Sequence, residues 1–490
     1  MGASRIRILH VCAEIFPFLK TGGLADVTAG LPPALAKLGC DVHMLVPGFP
    51  AFVQGIRDPH LVAELPPRFG ASSLRLYFGE LHDTGIKAYY IDAPGLFDRP
   101  GDPYADSGHQ PYRDNYRRFA LLGWMAARIA DGLDFFWKPQ VVHGHDWHSG
   151  LAFAYMKATE QASGRKLAGT LITIHNLAYQ GNFPGVIFDE LELPGSFFGL
   201  DGAEFYGQLS FLKAGLSYAD KISTVSPTYA REIQGEEQGC GLDGLLRKRA
   251  DDIHGILNGV DDSIWNPAKD KAIAANYDAR SMSGKKKCRS ALQKEAGLLE
   301  QNEAPVFCIV SRLVPQKGLH LLLPALQGIL QRGGQLVMLG SGDRGLEEKF
   351  KDFAFHNPQQ VSVQIGYDEQ KAHRIIAGSD VIMVPSRYEP CGLTQLYGLL
   401  YGTLPLVHKV GGLADTVADC SPENLANGLA TGFVFEQFGA HALQNAVGRV
   451  FALYSDSAAW KKVQRQGMQQ KLGWDKPAKQ YFALYKKLAT

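Results

Sequence analysis

Short apolar runs alternate along this chain with longer stretches of helical period, and that alternation predicts most of its elements. Residues 5–12 read as a first strand. Residues 25–38 carry apolar side chains at helical spacing, with Pro32-Pro33 expected to kink or split the helix and Gly39 to end it. Runs at 42–46, 87–91, 141–145, 171–175 and 221–225 predict further strands, separated by segments long enough for helices. A break follows at 254–267, where Asn258-Gly259 and Asn266-Pro267 are turn signals flanking a short strand. The alternation then restarts, with strands expected at 306–310, 336–339, 361–365, 381–384, 404–407 and 432–435. The fold class is therefore α/β, two Rossmann-like doubly wound domains of similar size, expected at 1–253 and 254–473. Residues 474–490 hold an amphipathic helix with Tyr481, Phe482, Leu484, Tyr485 and Leu488 on one face, expected to cross back to the N-terminal domain. Residues 92–116, rich in Gly, Pro, Asp and Tyr, read as an irregular loop.

Candidate chemistry is densest at 384–415, VPSRYEPCGLTQLYGLLYGTLPLVHKVGGLAD. A buried strand ends at Pro385-Ser386, a loop presents Arg387, Glu389 and Cys391, and Gly392-Leu393-Thr394 opens a helix. A second apolar run then leads to Lys409-Val410-Gly411-Gly412. This order makes a ligand crevice at the C-terminal edge of a parallel sheet. Amide groups at Gly392, Leu393 and Thr394, with a helix dipole behind them, suit a phosphate. Glu389 would be repelled by phosphate and should face a neutral, hydroxyl-rich part of the same ligand. A diphosphate carrying a sugar meets both demands.

Composition narrows the class without naming it. The chain has 490 residues, 46% hydrophobic and 20% charged, with a net charge of +1, which gives no electrostatic case for nucleic acid or an anionic membrane. No run reaches about 18 apolar residues, and 5–12 is too short and interrupted for a signal peptide. The seven cysteines are scattered without CxxC spacing, so a reduced, cytoplasmic setting is expected.

EPCGLTQLYG with a Gly-Gly-Leu loop closely resembles the bacterial glycogen synthase and starch synthase family, and matching blocks occur along the whole chain. The resemblance implies a GT-B glycosyltransferase whose domains face a deep cleft. It also implies transfer of glucose from ADP-glucose to the non-reducing end of a glycogen-type α-1,4-glucan, with retention and no cofactor. It makes Arg312 and Lys317, in SRLVPQKGL, the two cations at the diphosphate. A fixed fork and a point charge would stabilise the departing anion where magnesium otherwise would, and no acidic cluster of octahedral-ligand spacing is present in the sequence. It places Asp146, in HGHDWH, in the active site, His175 with Asn176 against the donor glucose, and Asn258 near the sugar. Lys20 would lie across the cleft from the diphosphate and Gly23 close to the donor, with Tyr367 near adenine and Cys391 packed in the site without covalent duty. Gly22-Gly23-Leu24-Ala25-Asp26 recurs as Gly411-Gly412-Leu413-Ala414-Asp415, an echo that suggests related halves.

Other readings have less behind them. HGHDWH lacks the i, i+4 helical pairing of a zinc protease, so no metal is assigned. An NAD-dependent oxidoreductase would need a third glycine after Gly340-Ser341-Gly342. A pyridoxal-phosphate-dependent glucan phosphorylase shares the expected fold, and a non-catalytic glucan-binding protein differs only in lacking turnover.

Overall fold

The computed structural model describes residues 5–300 and 303–489. Its chain forms two compact units, one of Met1–Gly259 with Trp474–Thr490 and one of Val260–Gly473. The first contains β1 (Arg7–Val11), β2 (Asp41–Pro47), β3 (Ile56–Leu65), β4 (Leu74–Leu81), β5 (Ile86–Asp92), β6 (Val141–His145), β7 (Gly169–Ile174), β8 (Asn182–Pro184), β9 (Glu204–Phe205), β10 (Gln208–Ser210), β11 (Lys221–Thr224) and β12 (Ile253–Gly255). Nine of these form one sheet in the order β12-β11-β7-β6-β1-β2-β5-β4-β3, and β8, β10 and β9 form a small sheet of their own. Pairing is parallel from β12 to β5 and antiparallel through β4 and β3. The strand order reverses between β1 and β6, which makes that gap the switch point where ligands of open α/β sheets bind.

The second unit holds β13 (Val306–Val310), β14 (Gln335–Gly340), β15 (Val361–Ile365), β16 (Val381–Val384), β17 (Leu404–His408) and β18 (Phe433–Phe435). All six are parallel, in the order β15-β14-β13-β16-β17-β18, with the switch point between β13 and β16. Their side chains alternate between two cores, Phe307, Ile309 and Met338 on one face and Val306, Cys308 and Val337 on the other. Burial on both faces is why these strands read as continuous apolar runs. No helix among the described residues is long and apolar enough to cross a membrane.

Several expectations need correcting. The hairpin β3–β4 occupies a stretch where only helix-length spacing was anticipated. β3 is mostly exposed and its pairing shifts register twice, so it shows no hydrophobic alternation. Pro32 and Pro33 do not split their helix, which runs continuously over Gly23–Lys37. The domain boundary expected at 254 lies after Gly259, because Ile253–Gly255 pairs in parallel with β11. Between the two turn signals of the linker there is no strand, only an isolated bridge of Val260 to Gly473.

The final helix, Asp475–Leu488, belongs to the first unit and buries Tyr481, Leu484 and Tyr485. They share a core with Ile8, Val27, Leu31, Val141 and Leu171, so this helix and Gly23–Lys37 cover one face of the large sheet. A Cβ on Gly30 would stand 2.1 Å from the Trp474 ring nitrogen, so glycine permits that approach.

Candidate active site

The predicted residues follow the C-terminal ends of strands, beside the switch point of each sheet except for His175, Asn176, Asn258 and Tyr367, which follow strands farther from it. In the first unit they follow β1, β6, β7 and β12. The chain leaves β1 through Glu14, whose buried carboxylate accepts the Thr21 amide at 2.7 Å, the Thr21 hydroxyl at 2.6 Å and the Gly22 amide at 3.3 Å. Tyr104, from the irregular segment, donates its hydroxyl to the same carboxylate at 2.5 Å. Glu14 thus shapes the loop carrying Lys20 and Gly23. Lys20 Nζ itself bonds Asp26 at 2.9 Å and lies 5.0 Å from the centre of the Phe16 ring. Sequence reasoning passed over Glu14 and Tyr104. The available signal was a carboxylate inside the apolar stretch CAEIFPF.

Asp146 follows β6 directly with a φ of 55°, in the left-handed region that a non-glycine residue occupies only when its surroundings hold it there. Its Oδ1 accepts the amides of His175 at 2.7 Å and Asn176 at 3.4 Å, so the ends of β6 and β7 are tied through one carboxylate. Burial pushes the Asp146 carboxyl up to about 7, against the pull of those two amides. His175 Nε2 meets His145 Nδ1 at 3.0 Å. The Asn176 side chain accepts the Ala178 amide. Asn258 is buried near the end of the unit, and its Oδ1 has no partner among the described residues.

The ligand-capable atoms of His10, His143 and His145 lie within 4.8 Å of one another. Both His143 nitrogens are already engaged, Nδ1 with Tyr485 at 2.7 Å and Nε2 with Thr173 at 2.6 Å. A metal there would have to break that network.

In the second unit the site follows β13 and β16. Gln316 carries the loop after β13 across to the next one. Its carbonyl accepts the Arg387 amide at 2.8 Å and its side chain donates to the Tyr388 carbonyl at 3.1 Å. Gly318, at φ 64°, has the Pro385 carbonyl only 2.0 Å from where a Cβ would stand, so a larger residue would force these loops apart. Lys317 Nζ donates to Glu389 Oε2 at 2.6 Å, and the Ser386 hydroxyl donates to the same oxygen at 2.8 Å. Glu389 is buried, and its Oε1 makes no hydrogen bond among the described residues. Arg312 is exposed and makes no ion pair or hydrogen bond through its guanidinium among them.

The helix after this loop begins at Thr394, the last residue of the triplet expected to open it, with Leu393 at its N-cap. Gln395 Nε2 donates to the carbonyls of Cys391 at 3.0 Å and Gly392 at 2.8 Å. In a trans peptide the N–H points opposite to the C=O. Gln395 therefore turns the amides of Gly392 and Leu393 away from the core, toward an anion's side. Sequence reasoning missed this buried glutamine. Cys391 is buried. Gly411 and Gly412 lie against the Glu389 and Cys391 backbones, and the Gly412 amide donates to the Glu389 carbonyl at 3.0 Å. Tyr367 is 67% exposed. The two Gly-Gly-Leu copies follow β1 and β17, which are not equivalent strands: β13, not β17, holds the place of β1 beside the switch point. They correspond in local form, each opening a helix.

Residues 7–248 match the family model described as starch synthase catalytic domain, and 292–467 match glycosyl transferases group 1. The chain is 61% identical over 484 residues to a glycogen synthase of Francisella tularensis subsp. novicida, covering 99% of each chain. Identity to a glycogen synthase of Francisella philomiragia is 60%, covering 99% of this chain and 100% of the relative. Among solved structures, the catalytic domain of starch synthase IV from Arabidopsis thaliana, bound to ADP and acarbose, superposes with a TM-score of 0.89 at 30% identity, covering 99% and 100% of the two chains. A sucrose-phosphate synthase from Thermosynechococcus elongatus shares the fold alone, with a TM-score of 0.58 at 19% identity over 99% of each chain. Sequence identity of this order across both units shows that the chain belongs to the glycogen synthase and starch synthase family of two-domain, GT-B-type glycosyltransferases.

Proposed function

We propose that the protein transfers glucose from ADP-glucose to the non-reducing end of an α-1,4-glucan with retention of configuration, in the cytoplasm. The observation that carries this reading is the Lys317–Glu389 pair beside the outward amides of Gly392 and Leu393. A lysine with donors to spare, an exposed arginine and two amides suit a diphosphate. The carboxylate oxygen left over on Glu389 suits sugar hydroxyls. Arg312 and Lys317 hold the leaving diphosphate, with Thr394 at the helix start behind the amides. Asp146, His175, Asn176 and Asn258 orient the sugar, Lys20 and Gly23 adjoin the donor, and Tyr367 offers an uncovered ring for adenine to stack on. Cys391 packs beneath the loop. The leaving phosphate helps deprotonate the acceptor hydroxyl on the same face of the sugar.

Nucleotide release with ADP-glucose and UDP-glucose, each with a glycogen primer, tests the reading. Faster turnover with ADP-glucose is expected; equal or faster turnover with UDP-glucose, or none with either, would overturn it. Purified protein absorbing in the pyridoxal band would favour the phosphorylase reading. Because two cations serve the diphosphate, activity should survive excess chelator, and a loss restored by magnesium would contradict that role.

Glu389→Gln keeps the shape of the group but gives up charge-assisted bonds, each worth about 1.5–3 kcal/mol. Turnover should fall about 10- to 100-fold while ADP binding stays near normal. A glucosyl ester trapped on Glu389 would instead make it a nucleophile.

A further inference from the structure

Three adjacent strands carry a line of imidazoles into the site. His10 lies on β1, His145 ends β6, and His175 follows β7. His10 Nδ1 meets His145 Nε2 at 2.9 Å, and His145 Nδ1 meets His175 Nε2 at 3.0 Å. His10 and His145 are fully buried, whereas His175 is partly open. We infer that His10 and His145 are positioning residues that hold His175 as the neutral imidazole protonated on Nδ1, so that it presents a hydrogen-bond donor to the donor sugar. The inference rests on the sugar-orienting role proposed above for His175.

A neutral imidazole has one N–H and one lone pair, so a line of three has two self-consistent proton arrangements. In one, His10 Nδ1–H donates to His145 Nε2, His145 Nδ1–H donates to His175 Nε2, and the His175 proton sits on Nδ1. In the other every bond is reversed, and His10 Nε2 carries the proton at the buried end. That atom has no hydrogen-bond partner among the described residues. Buried N–H groups are rarely left unpaired, and acceptors somewhat more often. The first arrangement leaves only a lone pair unused at the buried end and puts the other proton on His175, which is partly open, so it is the favoured one.

Burial keeps the rings neutral. It brings His10 and His175 down to about 3, and holds His145 well below the usual range with help from the neighbouring rings. His143 does not compete, because Tyr485 and Thr173 occupy its nitrogens. His175 Nδ1 has no partner among the described residues, and its backbone is fixed by the bond from its amide to Asp146. The line therefore ends in one N–H on the open side of the site, and that N–H persists across the neutral pH range.

The full-length protein labelled with nitrogen-15 in its histidine rings would be measured by long-range proton–nitrogen correlation, with His175→Ala assigning the signals. His175 should show a protonated Nδ1 and a bare Nε2, unchanged between pH 6 and 8. A protonated Nε2, or a charged ring, overturns the inference and leaves the proposed function standing. His145→Asn places an amide N–H where Nδ1 was and should keep both the tautomer and the donor KM within about threefold. His145→Leu removes the donor and should mix the tautomers and raise donor KM roughly 3- to 10-fold, the scale of one neutral hydrogen bond. Equal behaviour of the two variants would reduce His145 to a packing role and refute positioning. If His145→Leu does not fold, the wild-type tautomer alone decides. An unchanged donor KM and kcat in His175→Ala would instead remove the sugar contact, and with it the function assigned to the tautomer.

Discussion

Replacing Arg312 with alanine is expected to lower turnover by about 10²- to 10³-fold, the usual scale for losing one electrostatic stabiliser of a developing anion. The melting temperature should not move, because the Arg312 side chain is exposed and holds no ion pair or hydrogen bond among the described residues. Lys317→Ala should cost a similar factor in turnover but also stability. Its ammonium is the cation beside the buried Glu389 carboxylate, 2.6 Å away. Removing it leaves a buried charge with only the Ser386 hydroxyl on the paired oxygen. The double mutant should lose less activity than the product of the two factors, since both groups act on one diphosphate. Steady-state kinetics and thermal melts on the three variants check this. Equal melting losses for the two single variants, or factors that multiply independently, would mean that Arg312 and Lys317 do not divide the work in this way.

What was legible in the sequence follows from what was buried. β13 and β16 are closed in on both faces, so their apolar runs are continuous and their limits were read correctly. β3 lies at the sheet edge with most of its residues exposed, so composition carried no trace of it. Arg312 stood out because a cation directly after a buried run is a local signal, whereas Asp146 was singled out by the family resemblance of its segment and not by pattern. The Lys317–Glu389 contact joins residues 72 apart, and no periodicity encodes such a distance. The His10–His145 contact spans 135 residues. It depends on β1 and β6 being neighbours, which only the strand order establishes. Gln395 was hidden for another reason. It lies inside a helix of otherwise apolar inward residues, and its task, holding two carbonyls so that two amides face outward, is a property of backbone geometry.

Asp146→Asn should move activity and stability in opposite directions. Burial raises the folded-state carboxyl from 3.8 to about 7, so the fold favours the protonated form. A raised acid pKa means that stability is greatest at low pH and is lost as pH rises from about 4 through about 7. Asparagine is uncharged throughout, still offers an oxygen to the His175 and Asn176 amides, and has the size of the aspartate whose backbone is held at φ 55° and ψ −170°. At pH 8 the variant should therefore melt higher than the parent, with the difference shrinking toward pH 5. Activity should fall, because the ionised carboxylate is the stronger acceptor for both amides and for a sugar hydroxyl. Bonds to an ionised acceptor are worth about 1.5–3 kcal/mol each, and 1.4 kcal/mol is tenfold. Weakening two or three of them predicts a loss of about 10²- to 10³-fold in kcat/KM. The parent's kcat/KM should also climb as pH rises through about 7, and the variant's should not. A variant that is less stable at pH 8, or that keeps the parent's rising limb, would show that Asp146 is not held ionised at a cost to the fold for the sake of the site.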